Sequence, residues 1–400
     1  MLQLSFVNFK QNSYIFVEGT PATDRFFIIQ SGRVKCYNEI AIPGAVPEIL
    51  GPGDFVGVIS CMSGHEQTKS VVTLTPVVAI MVQKSQYPEL IMKNTPVAMK
   101  IVRAFAREMR IVNDQLTKLT LKKVILDSPE SLFSIAEYYE RSRHISIAAY
   151  GYYQYLKHCP SGINFEKAKQ RFSALRPYSK AVYYEPSKEN FRKYPADTMI
   201  FSECQNGADM FIIQEGLVRI TKVVDGNEVT LALLKKGDMF GEMALLENKP
   251  RSASAIAHEN CTLMVINMAN FNQMVATQPQ MISKLTMMFA DRLWSTYRQL
   301  SNTQLSDLRE KLVDMISLQV EKQKVPYTKG SAYVTEFSVT DILKLCAIPG
   351  EEYSMALRLL QTDQNVRIAS GKIVIPDIKE LIKQSAFYRQ QNSRRSNEQH

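Results

Sequence analysis

Residues 241–255 read GEMALLENKPRSASA. Met243–Leu246 has the makings of one short helical turn, entered through Gly241 and Glu242. The first backbone N–H groups of such a turn have no partner within it and together form a ready anion site. Arg251 adds a rigid fork of donors that suits two oxygens of one phosphate, and Ser252 adds a hydroxyl. Glu242 would repel a phosphate directly, but it can accept from a hydroxyl beside one, as on a ribose. A sugar phosphate with one negative charge satisfies all of these groups. The plainer alternative is a surface salt bridge between Glu242 and Arg251.

Working outward, the surroundings of this stretch occur twice. Phe27–Gly32 (FIIQSG) is echoed by Phe211–Gly216 (FIIQEG), Pro52-Gly53-Asp54 by Lys236-Gly237-Asp238, and Gly57 by Gly241. Every pair has the same offset of 184 residues, which indicates a duplicated domain. In the second copy, the apolar runs Met210–Ile213, Leu217–Val223 and Thr230–Leu234 are separated by turn signals at Asn206-Gly207, Glu215-Gly216 and Asp225-Gly226-Asn227. Short strands at this spacing predict an antiparallel β-sandwich or β-roll.

A long helical seam follows each roll. The first is Val102, Phe105, Met109, Val112, Leu116 and Leu119; the second is Ile282, Leu285, Phe289, Leu293, Thr296 and Leu300. Such helices either pack on their own rolls or pair with one another, within a chain or between two. Between the copies, Leu132, Ile135, Ala136, Tyr139, Ala148, Tyr152 and Pro160 stand at the spacings of a tetratricopeptide (TPR) repeat, and a further helix runs through Ala168 and Phe172. One such hairpin is fewer than the three that a solenoid needs. It reads as a helical spacer packed on its neighbours, with a peptide-binding groove as the other reading.

The 400 residues exceed a single ordinary core. The N-terminus carries no evident export signal, and no apolar run reaches membrane-spanning length, which predicts a cytoplasmic chain with no membrane contact. The six cysteines are scattered without a CxxC pair and read as reduced thiols, not a metal site. A net charge of +9 suits an anionic partner. The densest basic spots are Lys118, Lys122 and Lys123, then Arg389, Arg394 and Arg395 in a basic tail. The five histidines are dispersed and no nucleophile motif or P-loop stands out, so no enzyme is predicted and no cofactor is expected.

FGEMALLENKPRSASA (240–255) resembles the phosphate-binding cassette of the cyclic nucleotide-binding domain: FGE-[LM]-AL, a few residues, then R-[STA]-A. The resemblance implies that Glu242 binds the ribose 2′-hydroxyl and Arg251 the cyclic phosphate. Gly241, Met243 and Ala244 would supply backbone contacts and Ser252 a further hydrogen bond. The first copy departs from this pattern. Val58 stands where Glu242 does and Gln67 where Arg251 does, with Lys69 nearby, so this copy is expected to be structural or to bind something else.

In the C-terminal hundred residues, an amphipathic helix is expected over 308–322 and a short strand over 332–335. Thr340–Leu345 is a helix, Ile348-Pro349-Gly350 a turn, and Glu351–Gln361 a second helix with Tyr353, Ala356, Leu357 and Leu360 inward. Val366–Ala369, Ser370-Gly371 and Lys372–Ile375 form a hairpin. Together these read as a winged helix-turn-helix. The stretch from about 190 to 376 resembles the cyclic-AMP receptor protein and its CRP/FNR relatives. FADRLWSTYRQLSN (289–302) is similar to that family's dimerisation helix, which places Thr296 and Tyr297 at the purine; a serine is the family's residue where Tyr297 stands. The family's recognition helix opens with arginine and glutamate and carries a second arginine one turn on. Here those positions hold Glu351, Glu352 and Ala356. Glu352 can only accept, for example from cytosine N4, and Arg358, Arg367 and Lys372 are the candidate phosphate contacts.

The expected fold is therefore an α+β multidomain chain. Residues 1–123 form a degenerate cyclic nucleotide-binding-like jelly roll with its long helix, and 124–180 a TPR-like helical spacer. Residues 181–305 form a cyclic nucleotide-binding roll with its long helix, and 306–400 a winged helix-turn-helix with a basic tail. The expected function is a DNA-binding transcriptional regulator that responds to cyclic AMP (or cyclic GMP) as effector. The alternative is a nucleotide-gated module that contacts a protein instead of DNA, for instance through the TPR-like segment. The chain pairs either as a homodimer or as an intrachain pseudo-dimer of its two rolls.

Overall fold

The computed structural model describes the chain apart from residues 1–4, 39–46, 122–127, 185–189, 225, 347, 349, 370 and 398–400. Lys122, Lys123, Asp225, Pro349 and Ser370 of the sequence reading lie outside the described residues.

The first roll consists of two four-stranded antiparallel sheets. One runs Ser5–Phe9, Val77–Gln83, Arg25–Ser31, Phe55–Val56; the other runs Tyr14–Phe16, Ser70–Thr73, Val34–Tyr37, Glu48–Leu50. Phe16, Phe27, Ile29, Val34, Val56, Val71 and Ala79 fill the space between them. Helices α1 (Val58–Ser63), α2 (Tyr87–Lys93) and α3 (Thr95–Leu121) belong to this copy. Then come α4 (Ser131–Arg141), α5 (Ile145–His158) and α6 (Phe165–Leu175).

The second roll repeats the first. Its sheets run Thr198–Phe201, Ser254–Ala257, Val218–Val224, Asn227–Leu234 and Met239–Phe240, Asp209–Glu215, Cys261–Asn267, Phe191–Tyr194. The 184-residue offset extends to the register of the later strands, while the first two strands of each roll stand at an offset of 185 with the same pairing. Ile28 opposes Ile80 and Phe27 opposes Val56; Ile212 opposes Met264 and Phe211 opposes Phe240. Because a one-residue slip would turn every inward side chain outward, an identical register means an identical core plan. Helices α7 (Glu242–Glu247) and α8 (Met268–Thr277) complete this copy.

Helices α9 (Pro279–Asn302) and α10 (Leu308–Lys322) follow, then strand Tyr333–Ser338, α11 (Val339–Leu345) and α12 (Tyr353–Gln361). Strands Arg367–Ala369 and Lys372–Ile375 pair as a hairpin, and α13 (Ile378–Asn397) closes the chain.

Two compact units result: Met1–Leu116 with Gln278–His400, and Thr117–Thr277. In the first unit, α9 buries Ile282, Leu285, Phe289, Leu293, Thr296 and Leu300, the whole predicted seam. It is fixed by side chains as well as by area. Tyr87 and Thr286 hydroxyls lie 2.8 Å apart, and the His65 ring stacks on Trp294 with centroids 3.6 Å apart. Arg298 donates to Asp314 at 3.1 Å and lies within 3.8 Å of Glu66 and 3.6 Å of Glu321.

Three expectations are corrected here. Helix α10 is not amphipathic at a surface: every residue from Leu312 to Val320 is buried, because α9, α11, α12 and α13 surround it. Its central carboxylate, Asp314, is kept there by Arg298, Asn302, Ser385 and Arg389. The basic tail is helix α13, whose Ile378 and Leu381 are buried against that core. Tyr353 is 39% exposed instead of inward, since the chain turns as a 3₁₀ segment over Gly350–Glu352 and starts α12 only at Tyr353, with Ala356 and Leu360 as its buried side.

In the second unit, α4 and α5 form a close hairpin: a Cβ at Gly151 would stand 2.9 Å from that of Ala136. The pair packs on the second roll, sharing a core with Met199, Cys204 and Ile256. Tyr139 donates to Glu228 at 3.0 Å and Tyr150 to the carbonyl of Ile200 at 3.1 Å.

Candidate functional site

In the second roll, strand Met239–Phe240 ends at Gly241, whose φ of +79° lies in the left-handed region. Only glycine adopts this at no steric cost. The sharp bend starts α7 with Glu242 in its first turn, fully buried. The chain leaves α7 through another left-handed residue, Asn248, and comes back to Arg251. The backbone of Arg251 is fastened on both sides, its N–H donating to Gln205 O and its carbonyl accepting from Cys204 N, each at 2.9 Å.

The Arg251 side chain is 5% exposed. One terminal nitrogen donates to the carbonyl of Gly241 at 2.6 Å and the other to that of Asp209 at 2.7 Å. Its guanidinium carbon sits 4.2 Å from the centre of the Phe201 ring, while Nε is buried without a hydrogen-bond partner. Burial draws the guanidinium down to about 10, and Asp209 and Glu242 act in the opposite sense. A guanidinium held by neutral carbonyls and a ring face has donors to offer an anion, and gaining one would relieve the cost of its burial. Gly207 makes room for it: a Cβ there would lie 2.6 Å from Nε.

The structure thus brings Gly241, Glu242, Met243, Ala244 and Arg251 together at one corner of the roll. Ser252 stands beside them, its hydroxyl 3.8 Å from Met243 Sδ. Thr296 and Tyr297 belong to the other unit. There Thr296 donates to Arg292 O at 2.8 Å and lies 3.7 Å from Met109 Sδ. Tyr297 donates to Glu108 at 2.6 Å.

The first roll keeps the backbone of this corner and changes its chemistry. Gly57 again has φ +79° and again starts a short helix, α1. Its next residue is the buried Val58, and buried Gln67 occupies the arginine position. Lys69 pairs with Glu108 at 2.8 Å and lies 5.2 Å above the Tyr297 ring. Burial works against charge on Lys69, yet the Glu108 carboxylate holds the ammonium well above its usual range. Glu108 is likewise pushed up by burial but brought below its ordinary value by Lys69.

Glu352, Arg358, Arg367 and Lys372 are all exposed, the first two at the start and middle of the α12 segment and the others on the hairpin. Sequence reasoning missed Phe201, Gly207 and Asp209 as the cradle of Arg251, and Glu108 as the partner of Lys69. Only Asn206-Gly207 left a signal, as a turn.

The sequence profile described as cyclic nucleotide-binding domain matches residues 6–94 and 191–278, so the domain is present in two copies. Among curated proteins, the cAMP-activated global transcriptional regulator CRP of Pasteurella multocida is 26% identical over 188 residues, 46% of this chain and 89% of the relative. The cyclic AMP receptor protein of Thermus thermophilus is 27% identical over 203 residues, 49% of this chain and 88% of the relative. A solved CRP/FNR-family transcriptional regulator from Thermus thermophilus is 20% identical with a TM-score of 0.39, covering 49% of this chain and 98% of its own. The regulatory domain of Toxoplasma gondii PKA with cAMP is 15% identical with a TM-score of 0.21, covering 70% and 84%.

Proposed function

With two cyclic nucleotide-binding domains in one chain as the premise, we propose that this protein is a transcriptional regulator that binds duplex DNA in response to a cyclic nucleotide, cyclic AMP in the first instance, held by the second roll. The observation that carries this reading is the buried Arg251 guanidinium against Gly241, with Glu242 at the start of α7 beside it. Arg251 takes the cyclic phosphate, α7 and Gly241 lend backbone N–H groups, Ser252 adds a hydroxyl, and Glu242 accepts from the ribose. Charge-assisted hydrogen bonds of this kind each contribute roughly 1.5–3 kcal/mol.

Strand Tyr333–Ser338, α11, α12 and the hairpin serve as a winged helix-turn-helix, with Arg358, Arg367 and Lys372 on phosphates and Glu352 toward base edges. The chain pairs either as an intrachain pseudo-dimer of its two rolls or as a dimer of chains. One observation favours the alternative of a protein partner. The opening of the α12 segment exposes Glu351, Glu352, Tyr353 and Met355, an acidic and apolar face unlike a phosphate-binding one. The α4–α6 hairpin is the spacer in either case.

Fluorescence anisotropy with random-sequence duplex at 50 and 200 mM salt, with and without cyclic AMP, tests the reading. Binding that tightens with cyclic AMP and weakens steeply with salt is expected. No binding at either salt, together with capture of a protein partner only when nucleotide is present, would replace DNA with protein as the target.

A further inference from the structure

The first roll encloses a cavity of about 800 Å³ at the corner equivalent to the Arg251 site. That is within the range of small-molecule pockets, roughly 300–1,000 Å³. Its walls are largely apolar, with Val56, Val58, Phe55 and Val71 from the roll and Ile101 and Phe105 from α3. Both groups that would hold a sugar phosphate are replaced here, Glu242 by Val58 and Arg251 by Gln67.

Charge in the cavity is nearly balanced. Four cations, Lys35, Lys69, Lys100 and Arg107, share its walls with Glu48, Asp54 and Glu108. Lys69 is committed to Glu108 at 2.8 Å and Glu48 at 3.7 Å, and Lys100 to Asp54 at 3.6 Å. Lys35 lies over the Tyr37 ring, and Arg107 is exposed. Among the described residues, the polar wall group that is deeply buried and still open to a ligand is Gln67. It is 4% exposed, and its Nε2 has no hydrogen-bond partner. A ligand that accepts from this buried amide nitrogen would recover the loss it suffers without a partner.

We propose that the first roll is a second ligand site, built for an uncharged, mainly apolar small molecule whose carbonyl or carboxamide group faces Gln67. Tyr297 of α9 also lines the cavity, so the ligand touches the helix whose Arg298 is bonded to the C-terminal segment at Asp314. The first roll therefore has a direct mechanical route to α10 within its own unit. The proposal is independent of whether the second roll takes a cyclic nucleotide.

The test is isothermal titration of the full chain, saturated with cyclic AMP, using 2-naphthamide and its anionic counterpart 2-naphthoate. Binding of one naphthamide per chain is expected, with naphthoate at least tenfold weaker. Gln67→Leu should weaken the amide threefold to tenfold, the loss of one neutral hydrogen bond. Val58→Phe, which fills the cavity, should abolish it while the variant melts with the wild type. No saturable binding, tighter binding of naphthoate, or amide binding untouched by both Gln67→Leu and Val58→Phe would each overturn the proposal.

Discussion

The two rolls share strand order, register and a left-handed glycine at the same corner, yet they spend that corner differently. The second keeps a buried guanidinium there, held by carbonyls and a ring face. The first has replaced it with an amide and moved its cation to Lys69, which is neutralised by Glu108. The second roll is tied to the α4–α5 hairpin through Tyr139 and Tyr150. The first is tied to α9 through Lys69, Tyr87, Glu66 and the Trp294-stacked His65. A β-roll scaffold thus separates into the framework, which duplication preserves, and two or three side chains that decide what the framework holds.

The sharpest way to break this comparison is to exchange those side chains. Arg251→Ala should reduce cyclic AMP affinity at least a hundredfold, measured by isothermal titration, while Gln67→Ala leaves it unchanged. Equal losses in both variants would mean that the rolls had not diverged. Arg298→Ala should cost about 1.5–3 kcal/mol in chemical denaturation, because it removes the nearest cation from the buried Asp314 carboxylate and leaves Arg389, Asn302 and Ser385 to hold it. A loss under 1 kcal/mol would show that α9 does not depend on this fastening.

Gly207→Ala sharpens the picture of the second roll. Its Cβ displaces Arg251, so cyclic AMP affinity should fall roughly tenfold with little change in melting temperature. The smallest effect concerns pH. Burial, and then Lys324, Arg298 and Lys84, draw His65 down to about 4 from 6.5. A base depressed on folding adds stability that is complete above pH 6.5 and is lost as pH falls toward 4. His65→Phe keeps the stack on Trp294 but not the titration. It should therefore lose on the order of 1 kcal/mol less than the wild type between pH 7 and 5, read as about 2 °C in melting temperature. Parallel melting curves for the two would contradict the assignment.

Much of the framework was legible because duplication writes it twice. The FIIQ runs and glycines at one offset locate both rolls, and helical spacing locates the seams of α3 and α9, all but Leu119 buried. The corner of the second roll was legible because GEMALL and Arg251 are close in sequence. Its cradle was not: Phe201, Gly207 and Asp209 reach Arg251 only through sheet pairing. Helix α10 misled because periodicity cannot register that four helices cover all its faces, with Asp314 paid for by partners as distant as Arg389. Helix α13 was hidden by its own charge, since the few apolar residues that anchor it, Ile378 and Leu381, sit at one end.

The placement of α9 has a practical consequence for anyone dividing this protein into parts. It follows α8 with only Gln278 between them, so it reads as the natural end of the second roll. Its buried stripe nevertheless rests on α1, α2 and α10. A fragment begun near residue 190 would carry Leu285, Phe289 and Leu293 away from the α1 and α2 side of that packing, leaving an adhesive strip in water. Such a fragment should self-associate on size-exclusion chromatography more than the whole chain does, and polar replacement of those three residues should remove the difference.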